Sequence, residues 1–91
     1  MFRFKPETPA AARASMSEGL SGLPARIPEI RHWSQGTNVM ESDRNYDFCL
    51  IGDFESEAAL QIYQDHPAHQ QVVTERIRPI VDSVVVVDFS F

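Results

Sequence analysis

An α+β domain in strand–helix–strand–strand–helix–strand order is the fold class that this sequence predicts. Three observations carry it. Runs of strand-like alternation open the chain, fill its middle and close it; two amphipathic stretches separate those runs; and Pro, Gly and polar clusters fall at the junctions. Ninety-one residues make one domain, residues 1–91, with no room for a second.

Met1-Phe2-Arg3-Phe4-Lys5 alternates apolar and charged residues and reads as a short strand. Pro6 and Pro9 bracket a turn, with Thr8 as a helix N-cap and Pro9 as the first helical residue. Ala12, Met16, Leu20 and Leu23 then form an i, i+4, i+8, i+11 stripe, an amphipathic helix ended near Gly22 and Pro24 and weakened, but not stopped, by Gly19. Pro28 opens an extended run from Ile30 to Val39. One parity holds Ile30, His32 and Ser34, and the other holds Arg31, Trp33 and Gln35. The polar stretch from Glu41 to Asn45 joins it as a hairpin to Tyr46 through Phe54. There Tyr46, Phe48, Leu50 and Phe54 share one face, and Asp47, Cys49, Ile51 and Asp53 the other.

Ser56 caps a second helix whose first turn carries Glu57, which suits the helix dipole. This helix runs through Ala59, Leu60 and Tyr63 to His66-Pro67, where the proline restarts a helix that turns Val73, Ile77 and Ile80 inward. Pro79 ends or kinks it, and Val84 to Phe89 is the last strand. The order is the ferredoxin-like βαββαβ plan, one antiparallel sheet with its helices on a single face. Such a sheet normally leaves its free face wet. Here four consecutive valines, together with Trp33 and Ile51 on parities opposite the helix-facing residues, put apolar groups on both faces. A monomer rarely exposes such a patch, so two subunits stacked sheet to sheet, a homodimeric α/β barrel, is the predicted assembly.

Composition narrows the function. Net charge is −5, from 8 Lys+Arg against 13 Asp+Glu, which argues against nucleic acid and against an anionic membrane surface. No secretory h-region follows Met1 and no apolar stretch reaches the length of a membrane span, so the expected location is cytoplasmic. The lone Cys49, flanked by Phe48 and Leu50, reads as a buried core thiol. With no Gly-rich phosphate loop, no Ser-His-Asp spacing and no Cys/His zinc pattern, no cofactor is expected.

Tyr63-Gln64-Asp65-His66-Pro67-Ala68-His69 is the densest functional-looking stretch. On an unbroken helix Tyr63 and His69, six positions apart, would diverge by roughly 240°. The break at Pro67 resets the second helix and lets the two converge. Three readings stand open. Tyr63 and His69 make ordinary hydrogen bonds at a helix junction that His66 caps; or His66 and His69, with Asp65 or His32, bind a cation, although H-x-x-H alone lacks a third ligand; or one His abstracts a proton while the Tyr63 hydroxyl stabilises the enolate that develops. Candidate catalytic residues are therefore Tyr63 and His69, with His66, His32 and Trp33 as candidate binding residues. His32 itself lies on a strand and reads as packing or hydrogen-bonding.

Several segments, in order along the chain, resemble the stress-responsive A/B barrel domain (Dabb) proteins: Phe2-Arg3-Phe4-Lys5-Pro6-Glu7, Ile27-Pro28-Glu29-Ile30 leading to Gly36-Thr37-Asn38, Tyr46-Asp47 to Phe54-Glu55, Val86-Val87-Asp88-Phe89, and above all the Y-x-x-H-P-x-H run from Tyr63 to His69. The resemblance covers essentially the whole chain. It implies a ferredoxin-like subunit in a dimeric α/β barrel. One plant branch of the family contains polyketide cyclases that use the Tyr and the second His of this motif in a cofactor-free aldol closure. Carried over by position, His69 would remove a proton from an activated methylene and Tyr63 would hold the substrate oxygen, with His66 matching the first His. Many members carry a His just ahead of the first strand; this chain opens without it, so either the start is late or the site lacks that contributor. The reading is a small homodimer whose cavity near Tyr63 and His69 binds a small apolar or carbonyl-bearing molecule, with cyclase- or isomerase-type proton transfer. The alternative is a non-catalytic stress-response protein with a structural or ligand-binding role.

Overall fold

The computed structural model describes all 91 residues. Its elements run β1 (Phe2–Phe4), α1 (Ala10–Ser21), α2 (Leu23–Arg26), β2 (Ile30–Thr37), β3 (Phe48–Phe54), α3 (Glu57–Asp65), α4 (Pro67–Val72) with a π-helical continuation over Val73–Ile77, and β4 (Val81–Val84). The four strands form one antiparallel sheet in the order β2-β3-β1-β4, the ferredoxin-like arrangement.

Helices and sheet meet over Phe2, Phe4, Met16, Leu20, Leu23, Ile27, Phe48, Tyr63, Val72 and Ile77, all buried. The predicted stripe on α1 is the one that docks, with Met16 and Leu20 sealed against the sheet and Leu23 following in α2. The cap differs from expectation. Pro9 stands at the N-cap position without a side-chain hydrogen bond, because the Thr8 hydroxyl turns back to donate to the Lys5 carbonyl at 2.6 Å. That closes a tight turn in which Glu7 takes a left-handed φ of 64°.

After Val72 the helix widens, and the Arg78 amide donates to the Val73 carbonyl. One extra residue in the turn lets Val72 and Ile77 both face the core, where a regular turn would have brought Glu75 or Arg76 inward. Arg76 instead crosses to α1 and donates to the Ser15 carbonyl at 2.9 Å. Gly19 permits the crossing: a Cβ there would come within 2.8 Å of Arg76 Cδ.

Three sequence expectations change. A bulge at the start of β2 pairs Ile30 with Phe54 but His32 with Asp53, so Ile30 and Trp33 both turn toward the helices while His32 turns to the open face. Trp33 is therefore half-buried against the core and not on the open face. Cys49 is exposed, because it shares the open side of β3 with Ile51, which is 59% exposed, and Asp53. The last strand covers Val81–Val84 and not Val84 to Phe89. Its only neighbour is β1, whose hydrogen bonding ends at the Met1–Val85 pair, and the residues beyond have no strand beside them.

Candidate functional site

The Y-x-x-H-P-x-H segment builds its geometry from two caps. Ser56 starts α3 by accepting from the Ala59 amide at 3.1 Å, and α3 carries Tyr63 inward near its C-terminal end. His66 then takes an extended conformation, φ −64° and ψ 134°, ending α3 and capping α4. Its Nδ1 accepts from the Ala68 amide at 3.0 Å, and Pro67 occupies the first helical position, where its missing N–H costs nothing. The bend brings the ring of His69 back over that of Tyr63, with centroids 4.4 Å apart and planes inclined at 47°.

Two further rings complete an aromatic group under the helices. Phe54 of β3 lies 4.9 Å from the Tyr63 centroid, and Trp33 of β2 meets Tyr63 edge-on at 6.0 Å. Gly52 makes room for the indole: a Cβ there would sit 3.4 Å from Trp33 and 3.3 Å from Phe54. The indole N–H donates to Gln35 Oε1 at 2.9 Å, and the Gln35 amide donates to the carbonyl and hydroxyl of Ser17 on α1. The indole edge is thereby fixed by a chain running from the sheet to the first helix.

Proton positions follow from the partners. His69 Nδ1 lies 3.1 Å from the Gln64 carbonyl, which only accepts, so Nδ1 carries the hydrogen and the neutral ring presents a free lone pair at Nε2. Burial lowers the His69 pKa below its ordinary 6.5; the Gln64 hydrogen bond opposes that and the nearby His66 adds to it. Burial pushes the Tyr63 phenol up to about 12. At neutral pH the pair is thus a protonated phenol beside a neutral imidazole. Tyr63 is 8% exposed, and its hydroxyl has no hydrogen-bond partner within the protein.

The remaining candidates separate. His66 is committed through Nδ1 to the α4 cap. His32 is on the far side of the sheet, its Nδ1 3.5 Å from Asp53 Oδ2, and does not reach Tyr63. Trp33 joins the site as an aromatic wall. No three His, Cys, Asp or Glu side chains converge on a point where an ion could be held, so the cation reading of His66, His69, Asp65 and His32 has no geometry behind it. Phe54, Gln35 and Ser17 were not singled out by the sequence. Of these only Phe54 had a visible signal, its place on the apolar parity of β3. Two clefts lie elsewhere on the subunit: one of about 230 Å³ between α1 and the π-helical turn, beside Gly19 and Arg76, and one of about 490 Å³ at the hairpin end of the sheet, lined in part by Met1, Asn38, Tyr46 and Cys49.

Known proteins are similar to this chain in sequence and fold. The chain is 29% identical over 90 residues to a stress-response A/B barrel domain-containing protein of Arabidopsis thaliana, a match covering 98% of this chain and 34% of that protein. It therefore spans about a third of that relative's length. Among solved structures, a dimeric ferredoxin-like protein of unknown function from Thermobifida fusca superposes with a TM-score of 0.89 at 31% identity, over 100% of this chain and 85% of the other. A dimeric protein of unknown function with a ferredoxin-like fold from Bacteroides fragilis superposes with a TM-score of 0.84 at 24% identity, over 99% and 89% of the two chains. That second likeness is one of fold alone. The match to the stress responsive A/B barrel domain extends over residues 1–91, and the chain belongs to that family, Dabb.

Proposed function

We propose that the protein is a homodimeric Dabb domain that binds a small carbonyl-bearing molecule and performs cofactor-free acid–base chemistry of the cyclase or isomerase type. The observation that carries the reading is the packing of the Tyr63 ring, whose protonated hydroxyl has no partner within the protein, against a His69 ring whose Nε2 lone pair is free. His69 Nε2 takes a proton from a carbon next to a carbonyl, and the electron pair moves onto the carbonyl oxygen. The Tyr63 O–H donates a hydrogen bond to that oxygen as its charge grows. In a poly-β-keto chain the carbanion then attacks a second carbonyl of the same molecule, closing a ring. The alkoxide formed collects the proton held on His69. Trp33 and Phe54 supply flat apolar walls suited to a conjugated product. The dimer is supported by the dimeric relatives from Thermobifida fusca and Bacteroides fragilis and by Ile51 and Cys49 on the uncovered sheet face.

A second reading has its own support. Tyr63 is buried against three other rings, as a purely structural tyrosine would be, and the domain is then a non-catalytic stress-response module with a structural or ligand-binding role. Turnover of a panel of poly-β-keto thioesters by the wild type and by His69→Ala separates the two. Turnover lost in His69→Ala is expected. Binding of the panel without turnover by the wild type identifies a binder, and neither binding nor turnover identifies a structural module.

A further inference from the structure

The break between α3 and α4 leaves one carbonyl without a backbone donor. Gln64 lies in the last turn of α3, so in a continuing helix its oxygen would receive the N–H of residue 67 or 68. Residue 67 is proline and has no N–H. The Ala68 amide is taken by His66 Nδ1 at 3.0 Å. The Gln64 oxygen therefore faces the joint with neither lone pair filled by the main chain.

Two side chains of α4 fill them. His69 Nδ1 lies 3.1 Å from the oxygen, and Gln70 Nε2 donates to it from 2.7 Å. Gln70 is tied a second time, because its backbone amide donates to the His66 carbonyl at 3.0 Å. It thus holds the chain both before the bend, at Gln64, and at the bend, at His66. Asp65 offers no rival anchor, since Gln61 Nε2 donates to its Oδ2 at 3.1 Å.

The anchor decides whether His69 can act as a base. With the Gln64 carbonyl in place the ring holds its hydrogen on Nδ1 and leaves Nε2 able to accept. A histidine side chain in water favours the opposite tautomer, so the carbonyl must stay where it is. Gln70 is exposed, and water fills the carbonyl's lone pair if the side chain is removed. Water, however, does not tie α4 to α3. Without the tie the carbonyl turns with the end of α3 and the His69 ring with α4, and the two lose their alignment.

We infer that Gln70 is a positioning residue for His69: its side-chain amide clamps the Gln64 carbonyl across the joint, and through that carbonyl sets the tautomer and the angle of the imidazole over Tyr63. The inference rests on the reading of His69 as the base and extends it to a residue that acts only through the Gln64 carbonyl. A neutral hydrogen bond of this kind contributes a factor of about three to ten to the population of the aligned ring.

Two variants of the full chain test it: Gln70→Met, which keeps the length and loses the donor, and Gln70→Lys, whose ammonium still reaches the carbonyl. Nitrogen-15 NMR of the imidazoles above pH 6.5, with His69 assigned by its loss in His69→Gln, reads the tautomer directly. The wild type is expected as Nδ1–H. In Gln70→Met the two ring-nitrogen shifts should move toward each other as the Nε2–H form enters, and Gln70→Lys should restore the wild-type pattern. Turnover of a poly-β-keto thioester should follow, with kcat lower by about three- to tenfold in Gln70→Met, KM within about twofold, and kcat restored in Gln70→Lys. A wild-type tautomer in Gln70→Met, or a fall in kcat that Gln70→Lys does not restore, overturns the clamp and leaves the acid–base reading standing. No turnover by the wild type, with the tautomer still lost in Gln70→Met and kept in Gln70→Lys, overturns that reading and supports the clamp. An Nε2–H ring in the wild type overturns both.

Discussion

Tyr63 and His69, with ring centroids 4.4 Å apart, are pushed by the same burial toward opposite roles: the phenol keeps its proton and the imidazole gives its proton up. A low-dielectric setting penalises the charged form of each. It therefore sets a donor beside a base with no metal or neighbouring acid required to tune either.

Removing the hydroxyl alone should separate chemistry from packing. Tyr63→Phe keeps the ring contacts with Trp33, Phe54 and His69 and removes a hydroxyl that no protein group holds. Turnover of a poly-β-keto thioester is expected to fall about 10²- to 10³-fold. The urea midpoint should correspond to a stability within about 0.5 kcal/mol of wild type. A large stability loss with unchanged turnover would assign the hydroxyl a structural job.

The two shifted groups predict stability changes at both ends of the pH scale. His69 has a folded pKa below the ordinary 6.5, so the unfolded chain binds its proton first as pH falls. Stability from this group is complete above 6.5 and declines as the pH drops through the folded value. Tyr63 behaves in the reverse sense. The unfolded phenol ionises near 10.0 while the folded one holds its proton to about 12, so stability is lost as pH rises across that interval. Urea titrations at stepped pH should show both declines. His69→Gln should flatten the acidic one, and Tyr63→Phe the alkaline one.

Gly52→Val places methyl groups where the indole of Trp33 and the ring of Phe54 leave 3.3–3.4 Å to a bare Cβ. Overpacking of this kind is expected to cost about 1–3 kcal/mol. Near-ultraviolet circular dichroism, reporting the only tryptophan, should change shape as the indole moves. An unaltered spectrum would place the strain elsewhere.

Asp47 sits just ahead of β3 and accepts from the Phe4 amide at 2.8 Å, while its own amide donates to the Phe2 carbonyl at 2.8 Å. The carboxylate thus extends a pairing of β1 and β3 whose register rests on Phe2 and Phe48 alone. Asp47→Ala should destabilise the domain by about 1–3 kcal/mol, because it strands a half-buried amide. Thermal unfolding measures the effect, and no change would mean that water replaces the carboxylate.

Much of this was legible in the residues because it depends on local rules. The α1 stripe of Met16 and Leu20, the Ser56 cap and the restart at Pro67 follow from periodicity and capping chemistry, and the element order follows from them. What escaped were features decided by cross-strand register. The bulge at Arg31 breaks strict alternation, and so Trp33 could not be placed on the helix side by counting from Ile30. Cys49 had the parity of an open face, but its apolar neighbours Phe48 and Leu50 suggested burial. Trp33 was a named candidate, whereas Gln35 and Ser17 acquire a role only because the fold sets them side by side, 18 residues apart in sequence.

The joint at His66 has an implication for where this chain can change length. One extended residue separates two helices, so the placement of the imidazole over the phenol is encoded in a single pair of dihedral angles and not in the shape of a loop. Length changes in the 38–47 connection would be absorbed far from it. One residue added between Asp65 and Pro67 would displace α4 and carry the His69 ring off Tyr63, leaving the phenol only its contacts with Trp33 and Phe54. A change of length at the hairpin should thus leave the Tyr63–His69 pair in place, and one at the joint should separate it.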